Sequence, residues 1–336
     1  MTINRCVVLA SRPDGAPREE DFRLEERPVP DLGADQMLCR NLFISLDAGF
    51  RNWMDEDSGD AVLPAMPLGE PVMGLTMSEV LESRHPDYQA GDILMARFAW
   101  EEYTVTDAGD FISPIRNVEY PLEYYLGVLG DTGLSAYFGL MDYGCVQPGE
   151  TVLVSAAAGA VGSIAGQIAK LQGGRAVGIT SGTRKCQRLI DELGYDAAID
   201  RTAASLDEAI SSACPQGIDV YFDNVGGPLL QDVLNHINEE ARILLCGSVA
   251  TYNETEPAAG PNNLFQLTTR RAHMHGFMTH MNLHRYDEAR AVLAGWIRDG
   301  HLTVHEHRLK GIENVARAFC DLFAGANFGK TLVELG

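Results

Sequence analysis

The feature that most constrains this chain is a regular alternation of short apolar strands and helices between residues 151 and 246. Strands buried on both faces are continuous apolar runs, whereas helices repeat apolar residues three or four positions apart. These patterns predict strands at 151–155, 176–180, 197–199, 219–223 and 242–246, and helices at 160–171, 183–193, 205–213 and 229–237. Such a series forms a parallel sheet with helices on both faces, so we expect a doubly wound α/β domain.

The first part of the chain, up to about Pro121, has a different pattern. Short β-type runs occur there at 6–10, 37–44, 72–81, 92–98 and 102–105. Turn residues such as Pro13-Asp14-Gly15 separate them, and this spacing predicts a compact β domain or partly closed barrel. Further helices are predicted at 126–143, 286–299 and 313–324, and a final strand at 330–335. The final strand would return to the first domain and make that domain discontinuous.

Charge and cysteine content exclude several classes of partner and site. The net charge is -21 and the isoelectric point is about 4.7, so nucleic acid and anionic membranes are not expected as partners. The cysteines are scattered without a C-x-x-C pair, which argues against a disulfide framework and a cysteine-rich zinc site. No signal peptide and no apolar run of membrane-spanning length is evident, so we expect a cytoplasmic protein.

The most informative local segment is the strand–turn–helix at residues 151–162. It resembles the G-x-G-x-x-G fingerprint, with Ala157 in the first glycine position and Gly159 and Gly162 in the others. Gly159 would let the backbone approach a pyrophosphate, and Gly162 would allow close packing of helix on strand. Small residues at such a turn can also serve packing alone. The surrounding strand–helix series favours phosphate binding by the N–H groups at the helix start.

Two further turns of small residues follow later strands. They are Asp223-Asn224-Val225-Gly226-Gly227 and Cys246-Gly247-Ser248. The carboxyl ends of parallel strands share one edge of an open sheet, and ligands bind at that edge. We therefore expect all three turns to border one ligand site, although any one of them alone would be an ordinary loop.

Together these segments resemble the medium-chain dehydrogenase/reductase superfamily, in particular its zinc-independent leukotriene B4 dehydrogenase, prostaglandin reductase and alkenal double-bond reductase group. The segments that carry the resemblance are 129–140, 149–162, 221–227, 246–253 and 327–330. The resemblance implies a GroES-like β domain of residues 1–122 and 301–336, a Rossmann NADP-binding domain of residues 123–300, and an active-site cleft between them. It also implies a homodimer that uses NADP(H) to reduce the C=C bond of a small-molecule enone or enal.

The resemblance also assigns candidate residues. Those for the cofactor are Gly159, Ala160, Val161, Gly162, Lys185, Arg201, Asn224, Cys246, Gly247, Phe277 and Asn327. Those for the substrate cleft are Asp47, Arg51 and Asp131, of which Asp47 and Arg51 are expected to brace the cleft rather than do chemistry. Two departures concern the substrate. The family usually has Pro-Tyr-Met-Arg where this chain has Ala48-Gly49-Phe50-Arg51, and it commonly has Met where this chain has Asp131.

The end of the second strand of the α/β series predicts a preference for NADPH over NADH. NAD-specific domains usually place an acidic residue there to bind the ribose 2′-OH. Here the strand ends in Thr180-Ser181-Gly182, and basic residues follow at Arg184 and Lys185. By resemblance, Lys185 contacts the 2′-phosphate, and Arg201 stands where the family usually has a tyrosine that also reaches it.

Tyr252 is the candidate catalytic residue. The resemblance implies hydride transfer to the β-carbon of an enone, with a phenol that stabilises the enolate oxygen. The histidine of the zinc ligand motif is absent from Leu68-Gly69-Glu70-Pro71, and the pair His280 and His284 lacks an evident third ligand, so no metal site is expected. Two alternatives remain open: a zinc-independent NADPH quinone reductase, and a non-enzymatic dinucleotide-binding redox sensor.

Overall fold

A computed structural model describes residues 2–60, 62–202, 205–254 and 259–336. The chain divides into two compact units, and both are discontinuous in sequence. The first unit comprises Met1–Leu126, His307–Ala326 and Thr331–Gly336, and the second comprises Gly127–Glu306 and Asn327–Lys330.

The strands of the described residues are, in chain order, β1 (Ile3–Leu9), β2 (Phe22–Pro28), β3 (Met37–Leu46), β4 (Met73–Ser83), β5 (Ile93–Ala99), β6 (Tyr103–Thr106), β7 (Ile112–Pro114), β8 (Thr151–Val154), β9 (Arg175–Thr180), β10 (Ala197–Asp200), β11 (Ile218–Asp223), β12 (Ile237–Leu245), β13 (His273–Gly276), β14 (Glu306–Lys310) and β15 (Lys330–Glu334). The α-helices are α1 (Asp131–Phe138), α2 (Ala160–Leu171), α3 (Thr183–Leu193), α4 (Leu206–Ala213), α5 (Gly227–Leu234), α6 (Phe265–Thr269), α7 (Tyr286–Arg298) and α8 (Val315–Phe323).

The first unit is built on a sheet with the order β14-β15-β3-β4-β5-β7, in which β6 also pairs with β3. The C-terminal strand β15 pairs antiparallel with β3, and Thr331 lies opposite Leu46. Its core joins both ends of the chain, because Phe319 of α8 packs edge-on against Trp100, with ring centroids 5.1 Å apart. Phe22 contacts both rings. The C-terminal segment therefore supplies part of the apolar core of the N-terminal β structure.

The second unit is built on a parallel sheet with the order β10-β9-β8-β11-β12-β13. Every residue of β8 is buried, and the core around it includes Leu153, Val177 and Tyr221. The order reverses between β8 and β11, and ligands of doubly wound sheets bind at such a switch point, beyond the carboxyl ends of the strands. The α/β fold class expected from the sequence is confirmed, and α2 and α3 have the predicted bounds.

The helix predicted at 126–143 is wrong in its first part. The chain first makes a 3₁₀ helix at Leu122–Tyr125, and α1 begins only at Asp131. The backbone folds back tightly between them, because the N–H groups of Gly130 and Gly133 both donate to the carbonyl of Gly127. A Cβ on Gly133 would lie 1.8 Å from the Val128 oxygen, so only glycine permits this turn. The rest of the segment continues as a π-helix, Gly139–Gly144.

Several strands were not predicted from the sequence, namely β2, β7, β13 and β14. The strand β13 shows why, since it lies at the edge of the parallel sheet, its residues His273–Gly276 are only partly buried, and it pairs with β12. A half-exposed edge strand needs no continuous apolar run, so its sequence lacks the pattern of a buried strand. The predicted helix 229–237 also ends early, at Leu234, because β12 begins at Ile237.

Candidate active site

The turn after β8 has the shape of an anion-binding turn. Gly159 is the N-cap of α2, and no side chain caps the first turn of that helix. A Cβ on Gly159 would contact only the carbonyl oxygen of Ala156, at 3.1 Å, so the space above the turn is open. Ala156 itself has a φ of +46°, which closes the turn tightly. The uncapped N–H groups at the start of α2 are therefore positioned to bind an anion, as the helix dipole favours.

Gly162 and Gly166 set how closely α2 packs. A Cβ on Gly162 would lie 2.4 Å from the Ala156 oxygen, and one on Gly166 would lie 1.9 Å from the ring of Tyr195. The Tyr195 hydroxyl donates to the Gly162 carbonyl at 2.6 Å. The small residues of this segment thus divide into one that leaves space for a ligand, Gly159, and two that serve packing.

The three turns expected at one edge are joined by hydrogen bonds. The Asn224 amide nitrogen Nδ2 donates to the carbonyl of Ser155 at 2.7 Å, which ties the end of β11 to the turn after β8. The carbonyl of Asp223 accepts the N–H groups of Cys246 and Gly247, at 2.8 and 3.1 Å. One connected group of turns therefore contains the candidate residues Gly159, Asn224, Cys246 and Gly247. The Asn224 side chain helps to hold this group together through its bond to the Ser155 carbonyl.

A basic group lies after β9 and β10. The carboxylate of Asp200 accepts the N–H of Gly182 at 2.9 Å and the hydroxyl of Thr202 at 2.8 Å, and the N–H of Arg201 donates to the Thr180 carbonyl at 2.7 Å. These bonds bring Arg201 beside Lys185, at the start of α3. Partial burial, together with the nearby Arg188 and Arg201, lowers the pKa of the Lys185 ammonium. Such mutual repulsion among cations is what an anion would relieve.

The C-terminal segment Asn327–Lys330 contacts helix α3 through Phe328. The Arg188 guanidinium lies over the Phe328 ring, with its central carbon 3.6 Å from the ring centroid, and pairs with Glu192 at 2.7 Å. His305 lies 3.3 Å from Glu192 and edge-on to Phe328. The Gly329 N–H donates to the Ala158 carbonyl at 2.9 Å. These contacts hold the segment Asn327–Lys330 against the turn after β8 and against α3.

Sequence reasoning missed Arg188, Glu192 and His305 as parts of this arrangement. The pair Arg188 and Glu192 is local to α3, but its contacts with Phe328 and His305 join residues more than 100 positions apart, so no local pattern marks them. Asn327 was proposed by resemblance alone, and its side-chain Nδ2 donates to the Gly329 carbonyl at 3.1 Å. That bond shapes the segment that contacts the Ala158 carbonyl.

Tyr252 lies beside the third turn. Its hydroxyl oxygen accepts the Ser248 N–H at 3.0 Å, and a Cβ on Gly247 would lie 3.2 Å from it. Burial raises the pKa of the Tyr252 phenol above its usual value, so the phenol is protonated at neutral pH. Because the bond to Ser248 uses a lone pair and leaves the proton, the hydroxyl can donate to a substrate oxygen.

Cys246 and Asp131 lie near this turn but have no evident catalytic use. Burial, with Asp131 and Asp223 nearby, raises the pKa of the half-buried Cys246 thiol to about 12, so it is not a thiolate at neutral pH. Asp131 occupies the first position of α1, where its charge favours the helix dipole. Phe277 packs between Tyr143 and Phe222, with centroid separations of 5.6 and 6.1 Å.

The candidate cleft residues of the first unit have local structural bonds. Arg51 is fully buried, and its guanidinium donates to the carbonyls of Pro13 and Gly15 and pairs with Asp55 at 2.8 Å. The Ser45 hydroxyl donates to the Asp47 carboxylate. Arg51 therefore braces the loop after β1, while a role for either residue at a substrate stays a prediction.

The described part of the chain contains no group of three or more His, Cys, Asp or Glu side chains arranged to hold a metal ion. Over the same residues, no helix combines the length and the apolar character that crossing a membrane requires. A surface cavity of about 490 Å³ in the first unit is lined by the β4–β5 loop and the segment after β7.

Comparison with known proteins agrees with this architecture. Residues 5–113 match the family described as "N-terminal domain of oxidoreductase", and residues 160–295 match that described as "Zinc-binding dehydrogenase". The NADPH-dependent curcumin reductase of Escherichia coli is 39% identical over 99% of this chain and 97% of its own length. The NADP(+)-dependent 2-alkenal reductase of Nicotiana tabacum is 35% identical over 98% of this chain and 97% of its own.

A solved structure extends the match to three dimensions. The crystal structure of CurA from Vibrio vulnificus in complex with NADPH superimposes with a TM-score of 0.91, at 39% identity and 99% coverage of both chains. The two family matches and the full-length relatives confirm the expected superfamily and its fold. The chain belongs to the medium-chain dehydrogenase/reductase superfamily of oxidoreductases, in the zinc-independent group that contains the curcumin, alkenal and prostaglandin reductases.

Proposed function

We propose that this protein uses NADPH to reduce the C=C bond of α,β-unsaturated ketones or aldehydes. The observation that carries the proposal is that the second unit combines three features. They are the open turn at Gly159, the basic group with Lys185, and the protonated hydroxyl of Tyr252 on the turn after β12. An anion-binding turn, a second anion site and a proton donor are what this reaction requires of a protein.

The residues present fit NADP(H). The space above Gly159 is a cradle that a side chain would fill, and the first N–H groups of α2 can donate to a pyrophosphate. Lys185 and Arg201 supply positive charge where a 2′-phosphate would be bound. The Asp200 carboxylate already accepts the Gly182 N–H and the Thr202 hydroxyl. Relatives aligned over 98% or more of this chain are named as NADPH-dependent or NADP(+)-dependent, which supports the same cofactor here.

Bound NADPH supplies the hydride for the β-carbon of the substrate. As that carbon gains electrons, negative charge develops on the carbonyl oxygen, and a donor at that oxygen lowers the barrier. A proton from solvent must then add to the α-carbon to give the saturated carbonyl compound. Tyr252 is suited to this task, because the Ser248 N–H fixes its oxygen at 3.0 Å while its proton stays available. Since burial raises the pKa of the Tyr252 phenol, it does not lose that proton at neutral pH.

The relatives favour a conjugated alkene over a quinone as the substrate. The curcumin reductase of Escherichia coli and the 2-alkenal reductase of Nicotiana tabacum align with 98% or more of this chain. The test is NADPH consumption with three substrates: trans-2-hexenal, curcumin and 1,4-benzoquinone. We expect turnover of an enal or enone, with the saturated carbonyl compound as product. Turnover of benzoquinone alone would identify a quinone reductase, and tight NADPH binding without turnover of any of them would favour a redox sensor.

The role of Tyr252 gives a sharper test. Tyr252→Phe should lower turnover of the best enone about 10- to 1000-fold, the loss typical when a donor to an oxyanion is removed. The dissociation constant for NADPH, measured by fluorescence titration, should be nearly unchanged. Tyr103→Phe, which removes a phenol hydroxyl from β6 in the first unit, is the matched control and should keep its activity. Unaltered turnover of Tyr252→Phe would remove this hydroxyl from the mechanism.

A further inference from the structure

One buried carboxylate, that of Asp223, connects the turns of the nucleotide-binding edge. Asp223 ends β11 and is 0% exposed. Its Oδ1 atom accepts four hydrogen bonds within 3.0 Å. The donors are the hydroxyls of Ser155 and Tyr221 and the N–H groups of Val225 and Gly226. A fully buried charge is costly unless it is hydrogen-bonded. Here the four hydrogen bonds to the Oδ1 atom offset that cost.

The bonds of Asp223 reach beyond its own turn. Ser155 lies directly after β8, and its hydroxyl donates to Asp223 while it accepts the N–H of Asn224 at 2.8 Å. The main-chain carbonyl of Asp223 accepts the N–H groups of Cys246 and Gly247 after β12. The turns that follow β8, β11 and β12 are thus fixed to one another through this single residue and its partner Ser155.

We propose that Asp223 is a positioning residue for NADPH binding, which sets the spacing of these three turns and acts through Ser155 and Asn224 without contacting the cofactor. The inference rests on the proposed function, because it assumes that the edge binds NADPH. A neutral side chain would avoid the cost of burying a carboxylate. We therefore attribute the use of Asp223 at this position to the four hydrogen bonds that its carboxylate accepts, which fix the geometry of the turns.

The variant Asp223→Asn tests this without changing the size of the side chain. If the amide nitrogen takes the Oδ1 position, it meets four donors. If it takes the Oδ2 position, which has no hydrogen-bond partner among the described residues, the four donors meet a neutral amide oxygen, which is a weaker acceptor than a carboxylate oxygen. Either orientation weakens the side-chain link between the turns after β8 and β11, while the main-chain bonds to the turn after β12 remain. Ser155→Ala is the second variant, and it removes the bond to Asp223 and the bond from Asn224 together.

The readout is a fluorescence titration with NADPH alone, which gives both a dissociation constant and the number of sites per chain. We expect both variants to raise the dissociation constant about tenfold or more, the effect of losing one hydrogen bond to a charged group. The number of sites should stay near that of wild type. A merely structural role would instead lower the number of competent sites and leave the dissociation constant unchanged.

A matched control separates general destabilisation from positioning. Ile210→Val trims a fully buried core side chain on α4, so it should lower the melting temperature and leave the dissociation constant unchanged. If Asp223→Asn does not fold, Ser155→Ala decides the question. Wild-type affinity for NADPH in the folded variants would overturn the inference while leaving the proposed function intact. Absence of NADPH binding by the wild-type protein would overturn both.

Discussion

Two regions of the second unit are suited to bind anions, and they are built in opposite ways. The turn after β8 uses backbone N–H groups and small side chains, and a Cβ added at Gly159 would already lie 3.1 Å from the Ala156 oxygen. The basic group after β9 and β10 uses long side chains, Lys185 and Arg201, which two different loops bring together. The first region depends on shape, whereas the second depends on charge.

This difference decides how each region should respond to substitution. The open space above a backbone cradle is the space that the ligand needs, so one added side chain would exclude the ligand. A charged group loses affinity in steps, because each side chain contributes its own electrostatic term and solvent screens the remainder. The predictions below test that contrast, beginning with the largest expected effect.

Gly159→Val should abolish NADPH binding at concentrations that saturate the wild-type protein. The branched side chain would occupy the open space above the turn, where the pyrophosphate is expected. The fold should survive, since the nearest atom to the new Cβ is the Ala156 oxygen, at 3.1 Å. Fluorescence titration with NADPH measures the first effect, and circular dichroism measures the second. Wild-type affinity in this variant would mean that the turn does not bind the cofactor.

Gly162→Ala is the matched control in the same turn. Its Cβ would lie 2.4 Å from the Ala156 oxygen and 2.7 Å from the Ala157 Cα atom, so the backbone must shift. Overpacking of this kind costs about 1–3 kcal/mol in the free energy of unfolding. We therefore expect a lower melting temperature by calorimetry. A variant that lost affinity without losing stability would show that Gly162, like Gly159, faces the ligand.

The contrast also explains what the sequence could reveal. The turn after β8 lies within a single segment of consecutive residues, 151–162, so its small residues and flanking periodicity are visible together. Helices α2 and α3 were predicted with their observed bounds for the same reason, because their apolar repeats are local. By contrast, the helix start predicted at 126 was wrong, since glycine-specific folding at Gly133 opposes the apolar periodicity.

Features that depend on distant residues could not be predicted in this way. The stacking of Arg188 on Phe328 joins positions 140 residues apart, and the bond between Ser155 and Asp223 joins positions 68 apart. Lys185 was predicted because it is local to the second strand, whereas Arg201 was predicted only through the family resemblance. Hydrogen bonding of Asp200 to Gly182 gives the physical reason for their proximity, and only the structure reveals it.

The charge-based region should give a smaller, cofactor-selective effect. Lys185→Ala should raise the Michaelis constant for NADPH about 10- to 150-fold, because one charge-assisted hydrogen bond contributes about 1.5–3 kcal/mol. The constant for NADH should be nearly unchanged, since NADH lacks the 2′-phosphate. Lys170→Ala is the control, because it removes a lysine at the opposite end of α2 that pairs with Asp196. Equal losses with both cofactors would show that Lys185 is structural, and a wild-type preference for NADH would contradict the assignment of NADP(H).

The smallest effect is a pH dependence that belongs to the charge-based region alone. Burial, Arg188 and Arg201 lower the pKa of Lys185, so it loses its charge at a lower pH than an ordinary lysine, whose pKa is about 10.4. Lysine is cationic below its pKa and neutral above it. Affinity for NADPH should therefore be greatest below that lowered pKa and fall as the pH rises through it, by at most about tenfold per pH unit.

Affinity for NADH should not follow this decline. Lys185→Arg should remove it, because a guanidinium stays charged throughout the range. Titrations from about pH 7 to pH 10 measure the trend. If affinity for NADH declined in parallel, or if the decline persisted in Lys185→Arg, the titrating group would lie outside the basic group. Binding at both regions would then depend on their shape rather than on the charge of Lys185.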